Sequence, residues 1–175
     1  FISIDIGLNN LATITSNKIK PFIVNGSVLK SINQFYNKER ARFQSFVGDK
    51  GHSNRMTQLT NKRNRKVLDY LHKASRYIVN QCLRNDIGTI IIGKNENWKQ
   101  GIKIGSKNNQ NFVNIPHSTL IQLIEYKAKL VGISVILTEE SYTSKCSFID
   151  DEPLCKQDKY LGIRIKRGLF KSAHG

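Results

Sequence analysis

The chain opens on FISIDIG, a run that alternates bulky apolar residues with small or polar ones and carries a carboxylate, Asp5, in its middle. Phe1, Ile2, Ile4 and Ile6 favour a strand, and Gly7 with Asn9-Asn10 gives the backbone freedom for a hairpin into LATIT. An acid on a central apolar strand costs free energy unless it is paired or binds a cation. The protein holds 13 acidic residues against 28 basic ones, so a carboxylate in that position stands out. Two readings of Asp5 follow: a turn or ion-pair residue, or a metal ligand on a central strand.

Charge narrows the partner. A formal net charge of +15 on 175 residues points to a polyanion, and nucleic acid fits better than a membrane. No apolar run approaches the about 18 residues needed to span a bilayer. An apolar content of 39% with 3 prolines is that of a globular domain long enough for a real core. There is no signal-peptide pattern and no initiator Met, and the sequence starts inside a strand, so a piece of a longer protein is expected. Cys82, Cys146 and Cys155 are too scattered for a disulfide framework and fit a reducing, cytoplasmic, nucleoid-associated setting.

Organisation follows from periodicity. Residues 1–6, 11–15 and 20–24 read as three short strands in an antiparallel meander. From Ser27 to about Asn85 helical signals take over, with Val67, Leu71, Ala74, Ile78 and Cys82 forming one apolar stripe. Gly48–Gly51 breaks the pattern, which predicts a helical hairpin. TIII at 89–92 is a strand, and Lys94 to about Ile115 a polar loop. Pro116 and Ser118 open a helix through Val131 with Leu120, Leu123, Ile124, Lys127 and Leu130 on helical spacing, and SVILT at 134–138 is the last clear strand. The remaining tail shows no convincing element. A long crossover containing a helix makes strands 89–92 and 134–138 parallel. A meander followed by parallel strands predicts an α/β, RNase H-like mixed sheet with a basic helical insertion at 27–85.

Several separated segments carry a family resemblance. FISIDIGLNNLATITSN resembles the first nuclease motif of the transposon-encoded TnpB/OrfB proteins, RNA-guided nucleases related to the type V CRISPR effectors. GTIIIGKNENWKQ and SKNNQNFVNIPHSTLIQLIEYKAKLVGISVILTEESYTSKCSFID are similar to the central block of that family, and RIKRGLF extends the match. The resemblance runs along nearly all of residues 1–175 in the family's motif order.

It implies a RuvC-type domain that cleaves DNA with two divalent cations, Mg2+ or Mn2+, and whose partners are DNA and a guide RNA. Metals about 3.5–4 Å apart need carboxylates converging from different elements. Asp5 matches the first of the family's three catalytic acids. The second is a Glu ending the strand that here reads 89–92, where this chain has Gly93. Its role then falls to Glu140, a relocation that some relatives resemble, with Glu139 and then Glu96 as alternates. The third acid follows a segment like RIKRGLF and is expected beyond Gly175. A catalytically inactive, nucleic-acid-binding descendant is the alternative function.

Relatives also carry a zinc ribbon in the region of the 145–175 tail. Here Cys146 and Cys155 stand without further Cys or His partners nearby, so the position reads as degenerate and no zinc is expected. Asp150, Asp151 and Asp158 read as a solvated acidic loop. Basic residues fall into two groups, Arg55, Lys62, Arg63, Arg65 and Lys66 in the insertion and Arg164, Lys166 and Arg167 in the tail. Acids there are too sparse to neutralise them, which predicts a surface for the nucleic-acid backbone.

Overall fold

Strand β1 (Ile2–Ile6) buries Ile2, Ile4 and Ile6 and turns Ser3 and Asp5 to the other side, as strand alternation requires. The computed structural model describes residues 1–48, 50–94, 115–166 and 169–173. β1 pairs antiparallel with β2 (Asn10–Ser16), which pairs antiparallel with β3 (Phe22–Asn25), giving the expected meander. On its other side β1 pairs in parallel with β4 (Thr89–Gly93). β5 (Ser134–Thr138) completes a five-stranded sheet of order β3-β2-β1-β4-β5. Ser134 N donates to Gly88 O at 2.9 Å and Lys94 N to Thr138 O at 2.8 Å, so β4 and β5 run in the same direction. The strand carrying Asp5 is therefore central, between β2 and β4.

Between β3 and β4 lie α1 (Ser27–Val47) and α2 (Asn54–Arg84), joined across the Gly48–Gly51 break. The Ser53 side chain caps α2 by accepting from Met56 N at 3.4 Å. Every residue of the Val67/Leu71/Ala74/Ile78/Cys82 stripe is buried. They share one apolar core with Ile2, Ile4, Ile14, Ile90 and Ile92 from the sheet. α3 (His117–Lys129) adds Leu120, Ile124 and Ala128 to that core, and past its end Gly132, with a φ of 75°, lets Ile133 N turn back to Ala128 O at 2.9 Å. Two positions of its predicted stripe behave otherwise: Leu130 is 72% exposed because α3 stops at Lys129, and Lys127 is buried as a charged residue.

Gly26 shows why a residue without Cβ starts α1. Its N–H donates to Asn9 O at 2.9 Å, and a Cβ there would collide with the carbonyl oxygens of Leu8 and Asn9. The helical insertion is thereby fastened to the β1–β2 turn.

The chain divides into two compact units, the first comprising Phe1–Gly93 with the segment that ends at Leu137, the second beginning at Thr138 in the sequence and including Lys94. The second unit corrects one expectation. Its tail is not featureless, because β6 (Ile163–Lys166) and β7 (Leu169–Lys171) form an antiparallel hairpin. IRIK alternates apolar and basic residues, but four residues followed by the three of LFK are too short a signal to mark strands, and Ile163 and Ile165 stay exposed. Asp150 is not simply solvated either: its Oδ2 accepts from the Ser147 hydroxyl and, at 3.1 Å, from Ala173 N.

Candidate active site and nucleic-acid interface

Asp5 stands opposite Thr13 of β2, on the sheet face that the helices leave uncovered. Its carboxylate is exposed, and among the described residues no hydrogen bond or ion pair engages it. The cost of an acid on a central strand is thus avoided by solvent and not by a partner. On the parallel side the pairing Ile4↔Ile92 leads, one residue further along both strands, to Asp5 beside Gly93. The Glu that the resemblance leads one to expect at the end of β4 is therefore absent beside Asp5.

The turn that follows Asp5 is held from a distance. Buried His117, at the start of α3, donates through Nε2 to Gly7 O at 3.1 Å. Sequence reasoning passed over His117, and no local pattern links it to a turn 110 positions away.

Glu139 and Glu140 lie at the opening of the second unit. Glu139 is exposed and accepts from the Ser141 hydroxyl at 2.5 Å; Glu140 is half-buried, and its backbone carbonyl accepts from the Thr143 hydroxyl at 2.9 Å. Glu96, the remaining alternate, lies outside the described residues. Among the described residues no group of three or more His, Cys, Asp or Glu side chains gathers as a metal would need. A magnesium-type ion takes roughly six oxygens, and Asp5 offers one carboxylate. The described residues therefore do not by themselves complete a metal site.

Among the basic residues of the insertion, Arg55, Lys62, Arg65 and Lys66 are exposed on α2. Lys62 and Lys66 border a groove of about 330 Å³ between α1 and α2, together with Ile32, Phe35, Tyr36 and Leu59. Arg63 differs from its neighbours. Its Nε donates to buried Asn33 of α1 at 2.8 Å, an Nη donates to Asn64 at 2.9 Å, and its guanidinium lies 5.8 Å from the centre of the Tyr36 ring. Partial burial lowers its pKa from the ordinary arginine value. These contacts tie α1 to α2. In the second unit Arg164 and Lys166 are exposed on β6, and Arg167 lies outside the described residues.

All three cysteines are free thiols. Buried Cys146 donates to Cys155 O at 3.6 Å, while exposed Cys155 accepts at sulfur from the Gln157 amide at 3.2 Å.

A mixed five-stranded sheet with one face under helices and a lone acid at the centre of the other defines a class of α/β domain. Comparison with known proteins gives the family. The OrfB_IS605 family, described as "Probable transposase", matches residues 1–99, and the Cas12f1-like TNB domain matches residues 117–168. The chain belongs to the OrfB_IS605 family of probable transposases, and the resemblance read from its motifs is borne out. The TnpB-like protein MJ0751 of Methanocaldococcus jannaschii is 30% identical over 132 residues, which is 74% of this chain and 47% of that protein. The chain thus spans about half the length of this curated relative. Among solved structures, the Cas12f1–sgRNA–target DNA complex is similar at a TM-score of 0.66 and 21% identity, over 98% of this chain and 46% of that one. A CRISPR-Cas12f ternary complex gives 0.65 and 21%, over 83% and 30%. At such identity these two likenesses concern the fold. No helix among the described residues is long and apolar enough to cross a membrane.

Proposed function

We propose that this chain is part of an RNA-guided DNA endonuclease, and that its sheet is the RNase H-like core of a RuvC-type nuclease domain. The observation that carries the reading is Asp5: an exposed, unengaged carboxylate on the central strand of a mixed sheet, at the position that the motif resemblance implies for the first catalytic acid. Glu140 is its proposed companion, ahead of Glu139 and Glu96. Together they would hold Mg2+ or Mn2+, which when bound activates water and stabilises the leaving oxygen of a phosphodiester. The chain's own contribution is to hold Asp5 exposed on its central strand, and the exposed Arg55, Lys62, Arg65, Lys66, Arg164 and Lys166 are proposed to hold RNA and DNA by their phosphates. Arg63, already committed to α1, contributes by shaping that surface.

The test is made in the full-length protein. Asp5→Ala abolishes DNA cleavage while guide and target binding persist, because the acid supplies chemistry and the basic surface supplies affinity. Glu140→Gln does the same, Glu139→Gln is milder, and Glu96→Gln is nearly silent. Loss of cleavage in Glu96→Gln with full activity in Glu140→Gln reverses the assignment of the second acid.

A second reading has its own support. Gly93 leaves Asp5 without an acid beside it on β4, and no metal-sized cluster gathers among the described residues. Both favour a descendant that binds nucleic acid without cutting it. Absence of cleavage by the wild-type protein, with binding retained in it, in Asp5→Ala and in all three Glu variants, selects this reading.

A further inference from the structure

Lys127 is a charged residue in an unusual place. It is 3% exposed, and its ammonium donates to His72 O at 2.8 Å and to Ser75 Oγ at 2.7 Å. Both acceptors are neutral, and the Ser75 hydroxyl itself donates to Leu71 O at 2.8 Å. A buried ammonium normally sits against a carboxylate, since neutral acceptors return less of its lost hydration. None is present: the ion pairs among the described residues are Arg42–Glu39 and Lys73–Asp69. The charge that acts on it is of the same sign. Burial, and then the Arg76 guanidinium, lower the Lys127 pKa from its ordinary value. Arg76 is exposed and makes no ion pair among the described residues. A buried cation beside an exposed one, neither of them in an ion pair among the described residues, is a site that lacks its anion.

The surroundings indicate which anion. An open hollow of about 520 Å³ between α2 and α3 is lined by His72, Arg76, Tyr77, Asn80, Tyr126 and Lys127, together with Lys73. The Tyr77 ring meets Phe22 edge-on at 5.6 Å and the Tyr126 ring centre lies 5.8 Å from Lys127 Nζ, yet Tyr77 is 50% exposed and Tyr126 45%, so each keeps exposed surface for a ligand. An ammonium has three donors, and protein atoms take two of those on Lys127. Cations interleaved with accessible aromatic rings suit a strand whose phosphates alternate with flat bases.

We infer that this hollow binds a phosphodiester of a nucleic-acid strand, with Arg76 and Lys127 at the phosphate and Tyr77 and Tyr126 as stacking faces for an adjacent unpaired base. The inference rests on the reading that the protein's partner is nucleic acid, and adds a contact site apart from the basic face around Lys62 and Lys66.

The experiment uses a single-stranded oligonucleotide carrying 5-iodouracil, with binding followed by fluorescence anisotropy across a salt series and crosslinks mapped by mass spectrometry. Arg84→Gln, on the same helix but outside the hollow, controls for loss of one charge. Arg76→Gln is expected to weaken binding several-fold more than Arg84→Gln and to flatten the salt slope by about 0.7, the value of one phosphate contact. Crosslinks are expected on peptides containing Tyr77 or Tyr126. Lys127→Met should match Arg76→Gln where its melting curve shows a folded protein; if it does not fold, Arg76→Gln and the crosslinks decide. Crosslinks confined to other peptides, or equal effects of Arg76→Gln and Arg84→Gln, overturn the site while leaving nucleic-acid binding intact. Displacement of the oligonucleotide by low-millimolar inorganic phosphate at constant ionic strength marks a free-anion site and overturns the strand assignment. A wild-type protein that binds no oligonucleotide removes the functional reading itself, and the hollow's role with it.

Discussion

Ile4 of β1 pairs with Ile92 of β4, and the next step along the two parallel strands sets Asp5 beside Gly93 on the exposed side of the sheet. Neighbouring strands lie about 4.8 Å apart, so side chains at these two positions are within reach of one metal ion or of each other's charge. Introducing an acid there tests the geometry directly. Gly93→Glu should raise the affinity of the protein for Mn2+, measured by titration calorimetry, and Asp5→Asn in the same background should cancel the gain. In the full-length protein, Gly93→Glu is expected to restore cleavage to Glu140→Gln. A gain in Mn2+ affinity that survives Asp5→Asn shows that the two positions do not share an ion.

The core makes a plainer prediction. Leu71 is fully buried at the centre of the α2 stripe, among sheet and helix residues of one cluster, while Leu68 on the same helix is 44% exposed. Leu71→Ala should cost about 2–5 kcal/mol by chemical denaturation, since it removes apolar contact and leaves a cavity. Leu68→Ala should stay within roughly 0.5 kcal/mol. Equal losses at the two sites would mean that α2 does not present this stripe to the sheet.

Elements defined by strong periodicity were legible in the sequence. Ile2, Ile4 and Ile6 announced β1 by alternation, and the Val67 to Cys82 stripe announced α2, because burying one face leaves a period that survives in composition. Central placement of β1 followed from topology rules, given a meander and then a crossover. What could not be read depends on contacts remote in sequence. The His117–Gly7 bond, the Arg63–Asn33 tie and the burial of Lys127 each join residues on different elements, and none leaves a local pattern. The β6–β7 hairpin was missed because its short strands lack an alternating buried face. At the candidate site, Asp5 was legible as an acid in an apolar run, whereas its register with Gly93 needed the paired strands.

Cys82 sets a pH dependence. Its side chain is fully buried, and burial pushes the thiol from 9.0 up to about 11. The folded state then holds this proton more tightly than the unfolded chain. Its contribution is fully present below pH 9.0 and is lost as the pH rises through about 11. Wild-type stability should fall across that window by something of order 2 kcal/mol more than that of Cys82→Ala, each variant compared with its own value at pH 8. At pH 8 a disulfide reagent should label Cys155 rapidly and Cys82 only on unfolding. Identical alkaline slopes in the two proteins would remove Cys82 as the titrating group.

Glu152 holds the second unit together from inside. It is buried, its Oε2 accepts from Ser147 N at 2.7 Å, and its Oε1 accepts from Leu161 N at 3.0 Å. Each oxygen therefore satisfies a backbone donor on a different loop segment, a task that needs two acceptors. Glu152→Gln keeps the shape but offers one acceptor, so one backbone N–H meets an amide NH2 in place of an oxygen. The expected cost is about 1–3 kcal/mol, the penalty for a buried donor left without its partner. Hydrogen exchange should locate it: the Ser147 or Leu161 amide exchanges faster in Glu152→Gln and both do so in Glu152→Ala, while amides of the α2 stripe keep their protection. Unchanged exchange at both sites in Glu152→Ala would show that this carboxylate does not hold the two segments together.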